Sequence, residues 1–180
     1  MDIQQFWRLI DTARGQIADP AHTEAVAARA VMLLSALPPE EIVTAQRVLS
    51  GLLADSYQTP LWAAAYLING GCSDDGFEDF RGWLIAQGRQ VFEQSRSDPD
   101  SLAELPVIGP PGIGRPPIEC EEMLYIARHG HFAATGESVP LEAITLRHPY
   151  PELDFDWDFD DRVEMARRLP RLTALCWPSA

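Results

Sequence analysis

The chain has 180 residues and a mass of 20.0 kDa, 46% of it hydrophobic and 23% charged. A domain of that size buries enough surface to fold without a disulfide or a metal. Acids outnumber bases 27 to 14, and the net charge of −13 excludes a protein that works by gripping phosphate backbones, since that affinity comes from basic clusters.

The first predicted helix follows Asp2, a capping residue, with Ile3, Phe6, Trp7 and Ile10 at helical spacing, and stops near Gly15. A second runs from Pro20 or His22 to Leu37, with Val26, Ala30, Val31 and Leu34 inward. Pro38-Pro39-Glu40-Glu41 starts a third, with proline in the first turn and acids at the positive end of the helix dipole. Thr59-Pro60 opens a fourth, LWAAAYLIN, apolar on every side and therefore expected at the centre of the bundle. Asn69-Gly70-Gly71 closes it with a left-handed cap, and Ser73-Asp74-Asp75 starts a fifth at once, leaving a very short elbow. Gly88 kinks or breaks that helix before RQVFEQSRS, and Asp98-Pro99 begins a short helical turn.

Pro106 to Pro117, PVIGPPGIGRPP, holds too many breakers for a regular element and reads as a linker or surface loop. IECEEMLYIARHGHFAATG is predicted as one helix ending near Gly136. Val139 to Asp161 is mostly irregular, and Arg162 to Trp177 is helix interrupted at Pro170. The expected fold is all-α, a compact multi-helix bundle in a single domain over 1–180. Core helices occupy 1–105, the Pro/Gly-rich linker 106–117, and C-terminal helices with an acidic-aromatic segment 118–180.

All fourteen bases are arginine, which excludes lysine Schiff-base chemistry and the P-loop lysine. Cys72, Cys120 and Cys176 are far apart and never in a CxxC spacing, so neither a disulfide framework nor a zinc site is indicated and a cytoplasmic location is expected. The opening residues lack the basic start of a secretory signal, and the longest apolar run, Leu61 to Ile68, is too short to span a bilayer. No cofactor, metal, nucleic acid or membrane is expected.

The first candidate site is the elbow Cys72-Ser73-Asp74-Asp75 with Glu78, Asp79 and Arg81. Exposed amides, two carboxylates and a thiol at a helix start could bind a polar ligand, although Ser73, Asp74 and Asp75 are also ordinary first-turn residues. Arg81 falls on or beside the apolar face set by Phe77, Phe80 and Leu84, so its charge needs a carboxylate partner or a bound acid. Ligand-binding roles are expected for Cys72, Asp74, Asp75 and Arg81. The sequence GCSDDG is not a G-x-S-x-G nucleophile elbow, and GPPGIG lacks dinucleotide-binding spacing. Glu121, Glu122, His129 and His131 contain neither Glu-x-x-His nor H-E-x-x-H, so they read as helix-end residues rather than metal ligands.

The second candidate is the run Asp154-Phe155-Asp156-Trp157-Asp158-Phe159-Asp160-Asp161. Extended, it puts acids on one side and aromatics on the other, and it fails both EF-hand registers for want of the required glycine and glutamate. It is expected either as an aromatic strap packed on the bundle or as an acidic groove for a basic partner, with Asp154, Asp156, Trp157 and Asp158 as the partner-binding residues. Arg162, Arg167, Arg168 and Arg171 follow it and can neutralise it within the fold.

The stretch LWAAAYLINGGCSDDGFEDFRGWLIAQG, with the opening FWRLI and the later DPDSLA, resembles an uncharacterised bacterial family of unknown function with a short INGG(C)SDDxFxxFRxWLIxxG signature. The likeness extends to FAATG and RRLPRL, and some members carry labels likening them to a molybdenum metabolism regulator. It implies one helical domain and assigns no activity. The expected role is binding of a small polar ligand or a protein partner. The alternative is a hydrolase-like enzyme using carboxylates at the Cys72–Asp75 elbow, with or without a divalent cation.

Overall fold

The computed structural model describes residues 1–110, 116–144, 150, 152–154 and 157–177. Several helices begin where the sequence supplies a group for the orphan amides of the first turn. Helix α1 (Ile3–Gly15) opens with a reciprocal box, in which Asp2 Oδ1 accepts from the Gln5 amide at 2.7 Å and Gln5 Oε1 accepts from the Asp2 amide at 2.6 Å. Helices α2 (Thr23–Ser35), α3 (Pro39–Asp55) and α4 (Thr59–Asn69) follow, the last two with proline in the first turn, where its missing N–H costs nothing. Gly70 at φ 69° ends α4, and the Ser73 hydroxyl caps α5 (Asp74–Ala86) by accepting from the Gly76 amide at 3.1 Å. Gly88, at φ 90°, separates α5 from α6 (Arg89–Ser97).

Beyond a 3₁₀ helix at Pro99–Glu104 come α7 (Glu121–Leu124), α8 (Ile126–Thr135), α9 (Leu141–Ile144), α10 (Arg162–Arg168) and α11 (Pro170–Cys176). No strand occurs among the described residues, so the fold is all-α. None of the described helices is long and apolar enough to cross a membrane.

One contiguous core runs from Phe6 and Ile10 through Leu34, Leu49, Phe80 and Leu84 to Met165 and Leu172. Each such side chain contributes roughly 1.5–3 kcal/mol on leaving water. Helix α2 packs on α1 and α8, α3 on α8 and α9, α5 on α7, and α11 across α10, α4 and the 3₁₀ helix. The longest unbroken buried stretch among the described residues lies in α5, in which every residue from Phe80 to Ala86 is buried. Helix α4 keeps one half-buried face, Trp62, Tyr66 and Asn69 at i, i+4 and i+7, and that face becomes a site wall.

Two local readings are corrected. The helix predicted over IECEEMLYIARHGHFAATG is two, α7 and α8, broken at Tyr125 (φ −112°, ψ 4°), because α7 lies chiefly on α5 and also touches α2, while α8 lies chiefly on α2 and α3. Helix α9 is a short helix within the stretch expected to be mostly irregular. The acidic-aromatic strap does not extend as an alternating strand where it is described. Its carboxylates take nearby amides instead: Asp158 Oδ1 accepts from the Asp160 amide at 2.9 Å, and Asp161 Oδ1 caps α10 through the amides of Val163 and Glu164. Phe155 and Asp156 lie outside the described residues, as do 111–115 of the predicted linker.

Candidate functional site

The elbow is held by the helix that precedes it. Trp62 Nε1–H donates to the Cys72 carbonyl at 3.0 Å, and its ring stacks on Phe77 with centroids 4.8 Å apart. The Cys72 thiol donates to the Ser73 carbonyl, and burial, reinforced by Glu119 and Asp79, pushes its pKa up to about 12. A thiol so held is protonated at neutral pH and is no nucleophile. Asp74 and Asp75 are exposed in the first turn of α5.

Arg81 is 2% exposed, yet among the described residues it has no carboxylate partner. Its Nη1 donates to the Leu53 carbonyl at 2.5 Å and its Nε to the Phe77 carbonyl at 3.3 Å, while the guanidinium carbon sits 5.0 Å from the ring centroids of Tyr57 and Phe77 and 5.3 Å from that of Tyr150. Carbonyl dipoles and ring faces replace the expected ion pair. Neither Arg81 nor Asp74 nor Asp75 lines the cavities described below.

Asp79, named with the elbow in the sequence, is half-buried on α5. Burial first, then the charges of Glu121, Glu119, Glu78 and Asp75, push its carboxyl up to about 6. The folded state therefore holds this proton more tightly than the unfolded chain, and the resulting stability is present below about pH 4 and lost as pH rises through about 6. A shift of that size corresponds to about 3 kcal/mol, which solvent screening at a partly exposed side chain reduces to about 1 kcal/mol. Asp79→Asn should accordingly stabilise the protein by about 1 kcal/mol at pH 7 and not at pH 4. Urea denaturation across that range checks this, and an equal difference at both ends would contradict it.

The strap is packed structure with a wet edge. Trp157 is 8% exposed; its ring meets Phe159 edge-on at 5.2 Å and carries the Arg168 guanidinium at 4.5 Å. Phe159 reaches Tyr66 at 5.7 Å, and the Tyr66 hydroxyl donates to Asp160 Oδ1 at 2.6 Å. Arg171 goes elsewhere, to Asp98, Asp100 and Glu104.

These contacts bring the two candidate regions together. A groove of about 330 Å³ has Trp62, Tyr66 and Cys72 on the α4 side and Trp157, Asp158, Phe159 and Asp160 on the strap side. Beside it, sharing Tyr66 and Asp160, a second cavity of about 270 Å³ reaches Cys176 and Trp177. Of the predicted site residues, Cys72, Trp157 and Asp158 line the groove. Asp74, Asp75, Arg81 and Asp154 do not, and Asp156 lies outside the described residues. Asp160 belongs to the predicted strap run, whereas Tyr66 carries no sequence signal, because the two meet only through the fold.

His131 is buried with Nδ1 2.9 Å from the Glu137 carbonyl, whereas His129 is exposed beside Tyr125. Among the described residues no three His, Cys, Asp or Glu side chains are grouped to hold a metal ion.

An all-α fold with an acidic, aromatic-walled groove defines a class by shape and charge rather than by reaction. The chain belongs to the family described as Protein of unknown function (DUF4240), whose model matches residues 1–131. The match takes in the elbow and α4, while the strap side of the groove lies beyond it. No curated protein and no solved structure matches the chain.

Proposed function

We propose that the protein is a cytoplasmic binding protein whose groove takes a cationic organic group, an ammonium or guanidinium carried by a basic segment of a protein partner or by a small polar ligand. The observation that carries this reading is the convergence of four aromatic rings, Trp62, Tyr66, Trp157 and Phe159, with the carboxylates of Asp158 and Asp160 around one groove. Ring faces attract cations by roughly 0.5–2 kcal/mol each, and carboxylates at the edge steer them in. Arg168 seated on Trp157 shows the same pairing within the chain. The hydrolase alternative has Asp79 in its favour, but the Cys72 thiol is held protonated and Asp79 lines none of these cavities.

Titration calorimetry with an arginine-rich peptide, and separately with tetramethylammonium, is expected to show saturable binding that weakens as salt rises. Converting Asp158 and Asp160 together to asparagine should weaken it about tenfold, or about 1.4 kcal/mol, with little change in melting temperature. Binding by the peptide alone assigns a protein partner, and binding by both assigns the cation itself. Binding by neither probe, or equal binding by the double variant, rejects the proposal.

A further inference from the structure

A separate cavity of about 250 Å³ is walled by α3, Glu78 of α5, the α7–α8 junction and Tyr150. Three buried side-chain polar atoms among the described residues lack a hydrogen-bond partner, and two of them belong to residues lining this cavity. One is Gln46 Oε1. Gln46 is 3% exposed and sits on the apolar stripe of α3 between Ile42, Leu49 and Leu53; its Nε2 donates to Ser50 Oγ at 3.1 Å and its oxygen is left over. The other is Arg128 Nε, whose guanidinium lies 5.2 Å from the Tyr125 ring. Buried polar atoms are almost always paired, so two unpaired atoms on residues that line one cavity mark it as a place that a bound ligand would complete.

The charges around the cavity are equally specific. Arg128 is a cation on its wall, Arg81 contacts the lining residues Leu53 and Tyr150, and exposed Glu78 is the one carboxylate lining it among the described residues. A lining arginine beside one rim carboxylate, in a chain of net charge −13, calls for a ligand with a carboxylate and a hydrogen-bond-donating cation close together.

We propose that this cavity binds a free α-amino acid, its carboxylate on Arg128, its ammonium on Gln46 Oε1 and Glu78, and its side chain against Tyr125 and Tyr150. With the Gln46 amide turned over, the unpaired atom becomes a donor and the carboxylate serves it, so a zwitterion fits either orientation. The volume holds about eight waters, enough for a ligand of about that many non-hydrogen atoms.

The test is a thermal-shift screen of the intact chain against the twenty free amino acids at millimolar concentration, followed by calorimetry on the best. At least one is expected to raise the melting temperature by several degrees, with its methyl ester and its N-acetyl form binding at least tenfold more weakly. Arg128→Gln should weaken binding at least tenfold. Gln46→Met should do the same while leaving the ligand-free protein as stable as the parent or more so, because it removes the unpaired oxygen. No binding by any of the twenty, equal binding of ester or N-acetyl form, or unchanged affinity in both variants overturns the proposal. So does a marked loss of stability in ligand-free Gln46→Met, which would show the amide satisfied within the fold.

Discussion

Replacing Gly82 with alanine is expected to destabilise the protein by about 2–3 kcal/mol, although the same change usually strengthens a helix by roughly 1 kcal/mol. Gly82 sits in the fully buried stretch of α5, where a Cβ would lie 2.3 Å from the Cys120 carbonyl oxygen and 3.2 Å from Leu124 Cδ2. The nearer atom is backbone and cannot rotate away. Its residue is also fixed to α5, because the Cys120 amide donates to the Asp79 carbonyl at 3.0 Å. The α7 segment must therefore shift and that bond lengthen, and overpacking against backbone belongs at the upper end of the 1–3 kcal/mol range. Gly51, an exposed position in α3 with no atom within 4 Å of its Cβ site, supplies the control. There alanine should stabilise by about 0.5–1 kcal/mol. Chemical denaturation of the two variants should give opposite signs; a neutral Gly82→Ala would mean that α5 and α7 do not meet as closely as described.

What the sequence made legible is what lies within about four residues of its cause. The Asp2 cap, the Ser73 cap, the left-handed Gly70 and the breaks at Gly88 and Pro170 are each decided by neighbours along the chain. The break at Tyr125 is decided by two packing surfaces remote in sequence, so periodicity runs straight through it. Arg81 was placed correctly on the apolar face of α5, but its company of Leu53, Tyr57 and Tyr150 comes from other segments. The groove was half legible, since Cys72, Trp157 and Asp158 stood out by composition. Tyr66 and Asp160, 94 positions apart, find each other only in the fold. Gln46 did leave a trace, an amide on an otherwise apolar stripe, whereas Arg128 left none.

The second large effect belongs to Asp100, a residue that local reading passes over because Asp98 precedes the proline and looks like the cap. In the structure Asp98 makes no cap to the 3₁₀ helix, and Asp100 caps a different helix 71 residues further on. Its side chain is 7% exposed. Oδ2 accepts from the Arg171 amide and Nε, both at 3.0 Å, and Oδ1 accepts from the Leu172 amide at 2.9 Å. Those amides belong to the first turn of α11, which begins at Pro170 without a side-chain cap of its own. Asp98 and Glu104 hold the rest of the Arg171 guanidinium, so the 3₁₀ helix grips the start of α11 at several points. Asp100→Ala strips two backbone donors and one guanidinium of a shared buried acceptor and should cost about 3 kcal/mol. Asp100→Asn keeps one acceptor oxygen and should cost about half of that. The exposed pair of Glu164 and Arg167 gives the scale for surface charge, where removing either partner should cost about 0.5 kcal/mol at most. Urea denaturation ranks the three, and hydrogen exchange at the Leu172 amide should quicken in Asp100→Ala before the core amides do, because α11 then frays from its start while the core under α5 stays closed.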